Sequence, residues 1–191
     1  MPGPDNLHTL PENLPIPVDD GACNHLPGLQ LPSIPLLATT GQRVDLSSLP
    51  GWTVVYAYPR TGQPDQKPPP GWNDIPGAPG CTPQACAFRD HYSELRNLDV
   101  ALFGLSTQDS AYQREAVERL HLPFPLLSDE RLAFTRALHL PTFEVQSMTL
   151  IKRLTLVLRD GRIEHVFYPV FPPQENAAQV VAWLSRHAPG I

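Results

Sequence analysis

The segment GAPGCTPQACAFRD, residues 77 to 90, carries two of the chain's three cysteines, Cys81 and Cys86, five positions apart. Thr82-Pro83 reads as a helix cap followed by proline at the first helical position. Cys81 then falls just before or within the first turn, where free backbone N–H groups and the positive end of the helix dipole gather. A thiolate is stabilised in such a place, and Pro79-Gly80 let the backbone approach closely; this is the setting of a nucleophilic cysteine. The competing reading of Cys81 is a buried small hydrophobe. In an intact helix the Cα atoms of Cys81 and Cys86 lie about 8–9 Å apart and on different faces. A disulfide needs about 4.4–6.8 Å, so the two thiols cannot bond unless the helix start unwinds. That argues against a static bridge and leaves Cys86 as either a redox partner or core filler. Structural zinc calls for closely spaced cysteines with further Cys or His pairs; here the only extra candidates are Cys23 and scattered histidines such as His91. The spacing also differs from Cys-x-x-Cys.

The other chemically informative residue is Arg153, in the run LIKRLTLVL, residues 150 to 158. Strand alternation places it on one face with Ile151, Thr155 and Val157. An arginine amid apolar residues needs an anionic partner or a route to water. A thiolate at the C-terminal end of a neighbouring strand would serve; an arginine snorkelling at a sheet edge is the alternative.

These side chains need a scaffold. WTVVYAY, 52 to 58, reads as a buried strand ending at Pro59, and DVALFGLS, 99 to 106, as a second. Between them a helix is expected to about Asn97, with Ala85, Phe88, Tyr92 and Leu95 on one side. A helix over 109 to 121, an extended piece at 123 to 129 and a short helix over 130 to 139 follow. The strand at 150 to 158 turns back through Asp160-Gly161 into RIEHVFYPV. Pro172-Pro173 opens a last helix with Ala177, Val181 and Leu184 inward. Residues 34 to 47 are expected to add an N-terminal hairpin. The first half is a right-handed β-α-β crossover. The expected fold is α/β and thioredoxin-like: one mixed sheet with helices on both faces.

The 191 residues, with 41% hydrophobic and 17% charged, suit one globular domain. A net charge of −5 and no Lys/Arg run give no pull toward nucleic acid. No apolar stretch approaches the roughly 20 residues of a membrane helix, and the N-terminus does not resemble a secretory signal. With three cysteines, a cytoplasmic protein with reduced thiols is expected. Proline is anomalous: of 24, eight precede residue 36 and six lie within 60 to 80. Both regions should lack regular structure. The expected division is an irregular segment, 1 to 29, and a domain, 30 to 191, carrying the 60 to 80 insertion. The insertion reads as a surface excursion or as a lid or partner-binding loop, since PDQKPPP suits polyproline II.

YP, PGCTPQACAFRD, FGLSTQDS, LPFPLLSD and KRLTLVLRDGRI together resemble the peroxiredoxins, and among them the Q type, the bacterioferritin-comigratory-protein group. The motif order holds over residues 30 to 186. The resemblance implies a thioredoxin fold and a peroxidase. Cys81 matches the peroxidatic cysteine, whose thiolate attacks the O–O bond of hydrogen peroxide or an organic hydroperoxide to give a sulfenic acid. Cys86 matches a resolving cysteine that closes an intramolecular disulfide, recycled by thioredoxin or a similar dithiol protein. Arg153 matches the arginine that holds the thiolate and polarises the peroxide. No metal, haem or flavin is implied. Many Q-type members are monomers, and a monomer is expected, a weak dimer remaining open.

The departures lie around the nucleophile. The family pattern is Pro-x-x-x-Thr-x-x-Cys; here Pro59 matches the proline, but about fifteen extra residues separate it from Cys81, and Ala78 stands where the threonine belongs. Thr61 or a backbone group is a candidate substitute, and restoring the hydroxyl at residue 78 is expected to speed the reaction. Gln84 replaces a common glutamate. Two rival readings follow: a thiol–disulfide oxidoreductase with weak peroxide activity, and a non-catalytic module that recruits a partner through the insertion. Cys23 reads as a bystander in a flexible leader. His25, His121, His139, His165 and His187 show no base partner. Arg89 and Asp90 are expected to pair locally. Trp52, Trp72 and Trp183 read as anchors, with Trp72 placed to cover the site.

Overall fold

The computed structural model describes residues 7–188. Residues 1–6 and 189–191, the ends of the leader and of the domain range given above, lie outside the described residues. The most apolar run, β3 (Trp52–Ala57), lies inside a seven-stranded sheet. Its alternate residues separate two cores. Val54, Tyr56 and Tyr58 face one, with Phe88, Leu95, Ala177 and Leu184. Val55 and Ala57 face the other, with Leu127, Phe134 and Leu156. Burial on both faces is why β3 reads as continuous hydrophobicity rather than alternation.

Four other strands and the N-terminal hairpin complete the sheet. β1 (Leu36–Ala38) and β2 (Arg43–Val44) form that hairpin. β4 (Val100–Ser106) and β5 (Leu126–Ser128) extend the parallel set from β3. Strands β8 (Leu154–Arg159) and β9 (Arg162–Phe167) add an antiparallel pair on its other side. The order is β2-β1-β5-β4-β3-β8-β9. Helices α1 (Cys81–Asp90) and α2 (Tyr92–Asn97) connect β3 to β4. The helix α3 (Ser110–Leu120) starts at Asp109, whose carboxylate accepts from the Tyr112 N–H at 2.7 Å. The short α4 (Ala133–Ala137) is held by buried Asp129, which accepts from the Phe134 and Thr135 N–H groups and the Thr135 hydroxyl. α5 (Asn176–His187) follows a 3₁₀ turn at Pro173–Glu175 and buries Ala177, Val180 and Leu184.

Three expectations are corrected. The helix expected to start at Pro83 behind a Thr82 cap begins two residues earlier, at Cys81 with Gly80 as its cap, and breaks at His91. Gly80 takes a left-handed conformation (φ 105°), and a Cβ there would come within 2.4 Å of Pro173 and 2.9 Å of Leu10. Close approach, not a threonine cap, therefore starts the helix; Pro83 is tolerated because first-turn N–H groups need no intrahelical acceptor.

The strand expected at 150 to 158 is two. Its first part, β7 (Met148–Ile151), leaves the main sheet and pairs with β6 (Thr142–Val145) in a separate ribbon. Lys152 and Arg153 occupy the break, the Lys152 N–H donating to the Pro141 carbonyl. Thr155 and Val157 keep the same face as Arg153, toward α1 and α5, but Ile151 lies in the opposite core.

The leader is also less free than its prolines suggest. Residues 7–29 contain no helix or strand, yet Cys23 and Leu26 are buried in the second core.

Candidate active site

α1 delivers Cys81 as its first residue, buried but at the edge of a cleft of about 330 Å³. The break between β7 and β8 lets Arg153 turn toward it. The Arg153 guanidinium, 3% exposed, brings Nη2 to 3.2 Å from Cys81 Sγ. Nη2 also donates to the carbonyls of Ala78 (3.0 Å) and Pro79 (3.1 Å), Nε to that of Gly77 (3.3 Å), and Nη1 to Gln84 Oε1. The end of the insertion is thus pinned around Cys81 by one side chain.

The charge balance is the telling feature. Among the described residues, none of the ion pairs includes Arg153. Its oxygen partners are neutral, so a thiolate at Cys81 is the anion that would answer this buried cation. Gln84 supplies one of those neutral oxygens. Gln84 Nε2 passes the network to Asn176 Oδ1 at 3.1 Å, which also accepts from the Thr155 hydroxyl at 2.7 Å. Asn176 and Thr155 are fully buried parts of the site that the motifs did not single out as functional. Asn176 stands at the start of a helix like any surface polar residue, so no sequence signal marks it.

The structure brings together Cys81, Arg153 and Gln84 but not the other named residues. Pro59 is buried at the end of β3 and does not line the cleft. Ala78 is wholly buried and contributes its carbonyl, which lies 3.8 Å from Cys81 Sγ. Thr61 does not line the cleft; its N–H donates to Gln108 and its carbonyl accepts from the Tyr112 hydroxyl. The hydroxyl-bearing residues that do line it are Thr9 and Thr82.

The insertion forms one wall, including Arg60, Lys67, Pro68, Pro69 and Trp72, and the leader residues Leu7, Thr9, Leu10 and Pro11 form another. Trp72 also packs on Phe143 of β6, ring centroids 6.2 Å apart, so the unforeseen ribbon supports the insertion.

Cys86 is a free, half-buried thiol in the middle of α1, and burial pushes it up from the ordinary thiol value. Cys23, buried and pushed up to about 12 by desolvation, belongs to the other core. Arg89 pairs with Asp90 at 3.0 Å and reaches the Leu120 carbonyl. Among the described residues no group of three His, Cys, Asp or Glu side chains gathers as a metal site.

A parallel strand leading to a helix-borne cysteine, met by an arginine from the break before an antiparallel strand, is thiol-redox architecture. The crystal structure of peroxidoxin BcpB from Mycobacterium tuberculosis superposes with a TM-score of 0.69, at 24% identity, over 85% of this chain and 98% of that one. The α/β fold is thioredoxin-like. The redoxin family model matches residues 26–181. The peroxiredoxin Bcp of Escherichia coli K12 is 31% identical over 162 residues, covering 82% of this chain and 94% of that one. This chain belongs to the peroxiredoxins, in the Q/Bcp group. Chloroplastic peroxiredoxin Q from Oryza sativa subsp. japonica is 31% identical over 159 residues; the chain spans 65% of that relative's length.

Proposed function

We propose that this chain is a thiol-dependent peroxidase acting on hydrogen peroxide and organic hydroperoxides. The single observation that carries the reading is the 3.2 Å contact between Cys81 Sγ and a buried guanidinium that no carboxylate of the described residues neutralises. The Cys81 thiolate attacks the distal peroxide oxygen; the O–O bond breaks, and the leaving oxygen takes a proton and departs as water or an alcohol. Arg153 offsets negative charge as it moves from sulfur onto that oxygen. Cys86 then attacks the Cys81 sulfenic acid, expelling water and forming the intramolecular disulfide. Because both cysteines lie on one helix, the first turn of α1 must open for this step. Thioredoxin or a similar dithiol protein reduces the disulfide. In this reading residues 30–191 are the catalytic domain, monomeric and cytoplasmic, with the leader packed against it.

The test is one equivalent of hydrogen peroxide, and separately of an alkyl hydroperoxide, added to reduced protein. Loss of two thiols and two hydrogens, with peptide mapping of a Cys81–Cys86 bond, is expected, and Cys81→Ser should abolish peroxide consumption. An unreactive Cys81 would overturn the reading. The buried methyl of Ala78, which leaves the nucleophile without a hydroxyl at that position, favours a second reading as a thiol–disulfide oxidoreductase. Disulfide exchange with a protein substrate, faster than any peroxide reaction, would identify it.

A further inference from the structure

Resolution needs Cys86 to lose its proton, yet its surroundings oppose that. The thiol is half-buried, and desolvation holds it protonated beyond the ordinary thiol range. The charged side chains acting on it are Arg89 and Asp90 on α1 and Arg119 on α3, of mixed sign. From the leader, His8 places its Nδ1 3.9 Å from Cys86 Sγ, within hydrogen-bond range for sulfur. The leader is seated there by its neighbours. A Cβ on Gly62 would approach Leu7 Cδ2 to 3.0 Å, and one on Gly80 would approach Leu10 Cδ2 to 2.9 Å. His8 is thus held between two apolar anchors, one on the insertion and one at the start of α1.

We propose that His8 is the general base of the resolving step, taking the proton of Cys86. The inference rests on Cys86 being the resolving cysteine. The Cys86 S–H donates to Nδ1 with the imidazole proton on Nε2, giving thiolate and imidazolium. The thiolate attacks Cys81 Sγ, the S–O bond of the sulfenic acid breaks, and the departing hydroxide takes the proton back, from His8 or through solvent, as water. The only oxidant is the peroxide already consumed. Cys86 is the sixth of ten residues in α1, so opening of the turn at Cys81 leaves it beside His8.

The decisive experiment is a single turnover. Reduced protein receives one equivalent of hydrogen peroxide, is quenched with an alkylating agent at intervals, and is read by intact mass as thiol, sulfenic acid or disulfide. His8→Gln should slow conversion of sulfenic acid to disulfide by about tenfold, the low end of general-base effects. The wild-type resolving rate should level off through pH 5 to 8, the window in which imidazole changes charge, whereas the variant's should keep rising with pH as the thiolate fraction grows. Added imidazole should restore the rate in His8→Ala, which a purely structural role for His8 would not allow. A His8→Gln resolving rate and pH profile equal to wild type would overturn the proposal. Wild-type protein that never forms the Cys81–Cys86 bond would overturn the resolving assignment itself, and the role of His8 with it.

Discussion

Cys81 and Cys86 lie on the same ten-residue helix in opposite surroundings. Cys81 is at the N-terminus, against a guanidinium held by backbone carbonyls. Cys86 is one and a half turns later, with desolvation acting against its charged form and a histidine at hydrogen-bond range. The difference shows that reactivity is not a property of the residue or of the helix. It is set by what the rest of the chain delivers to each sulfur: the break before β8 sends a fixed charge to one, and the leader sends a titratable base to the other. A nucleophile that must be ready gains from a permanent cation. One that must wait its turn gains from staying protonated until an electrophile forms.

The largest test of this contrast is Arg153→Met, which removes the cation. The second-order rate with peroxide should fall by about 10²–10³, the scale of losing a charge-stabilising donor, measured by competition with a reference peroxidase. Arg153→Lys should recover only part of it, because an ammonium cannot hold the carbonyls and the sulfur at once. A rate within threefold of wild type in both variants would dissolve the distinction between the two sulfurs.

Cys86→Ser bears on the other half. Peroxide should still oxidise Cys81, but mass analysis should show sulfenic acid passing to sulfinic acid instead of an intramolecular bond.

Ala78→Thr sharpens the picture at smaller scale. Restoring a family hydroxyl at this position is the natural repair from sequence, with a faster reaction as its expected outcome. The wholly buried Ala78 changes that expectation. Two added heavy atoms should destabilise the protein by about 1–3 kcal/mol by overpacking, read by urea denaturation, without raising the peroxide rate.

The smallest effect concerns the leader's seat beside the Arg153 turn. The Asp20 carboxylate is held at about 2, chiefly by the Tyr168 hydroxyl, then by the Ala22 N–H and Lys152. A lowered folded value stabilises above the usual 3.8. That contribution should be lost as pH falls from there through about 2. The melting-temperature gap between wild type and Tyr168→Phe should therefore narrow on acidification; a constant gap would remove Asp20 from the account.

The sequence by itself determined the chemistry's address and most of the framework. The position of Cys81 after Pro79-Gly80, the five-residue offset of Cys86, the apolar runs of β3 and β4 and the Asp160-Gly161 turn are local signals, and local conformational preference is enough to read them. The oddity of an arginine in an apolar strand was legible too. Its cause was not. The break at Lys152-Arg153 arises because β7 pairs with β6 while β8 pairs with β3, a choice between distant partners that strand alternation cannot express. Asn176 and His8 were invisible for the same reason. One is an ordinary polar residue until α5 buries it against Gln84; the other is an ordinary leader residue until Leu7 and Leu10 find the flat faces of Gly62 and Gly80. Only the tertiary structure decides these, because they depend on burial and on contacts between residues far apart in sequence, from Leu7 against Gly62 to the Gln84–Asn176 bond at separation 92, and short-range propensity carries no information at that distance.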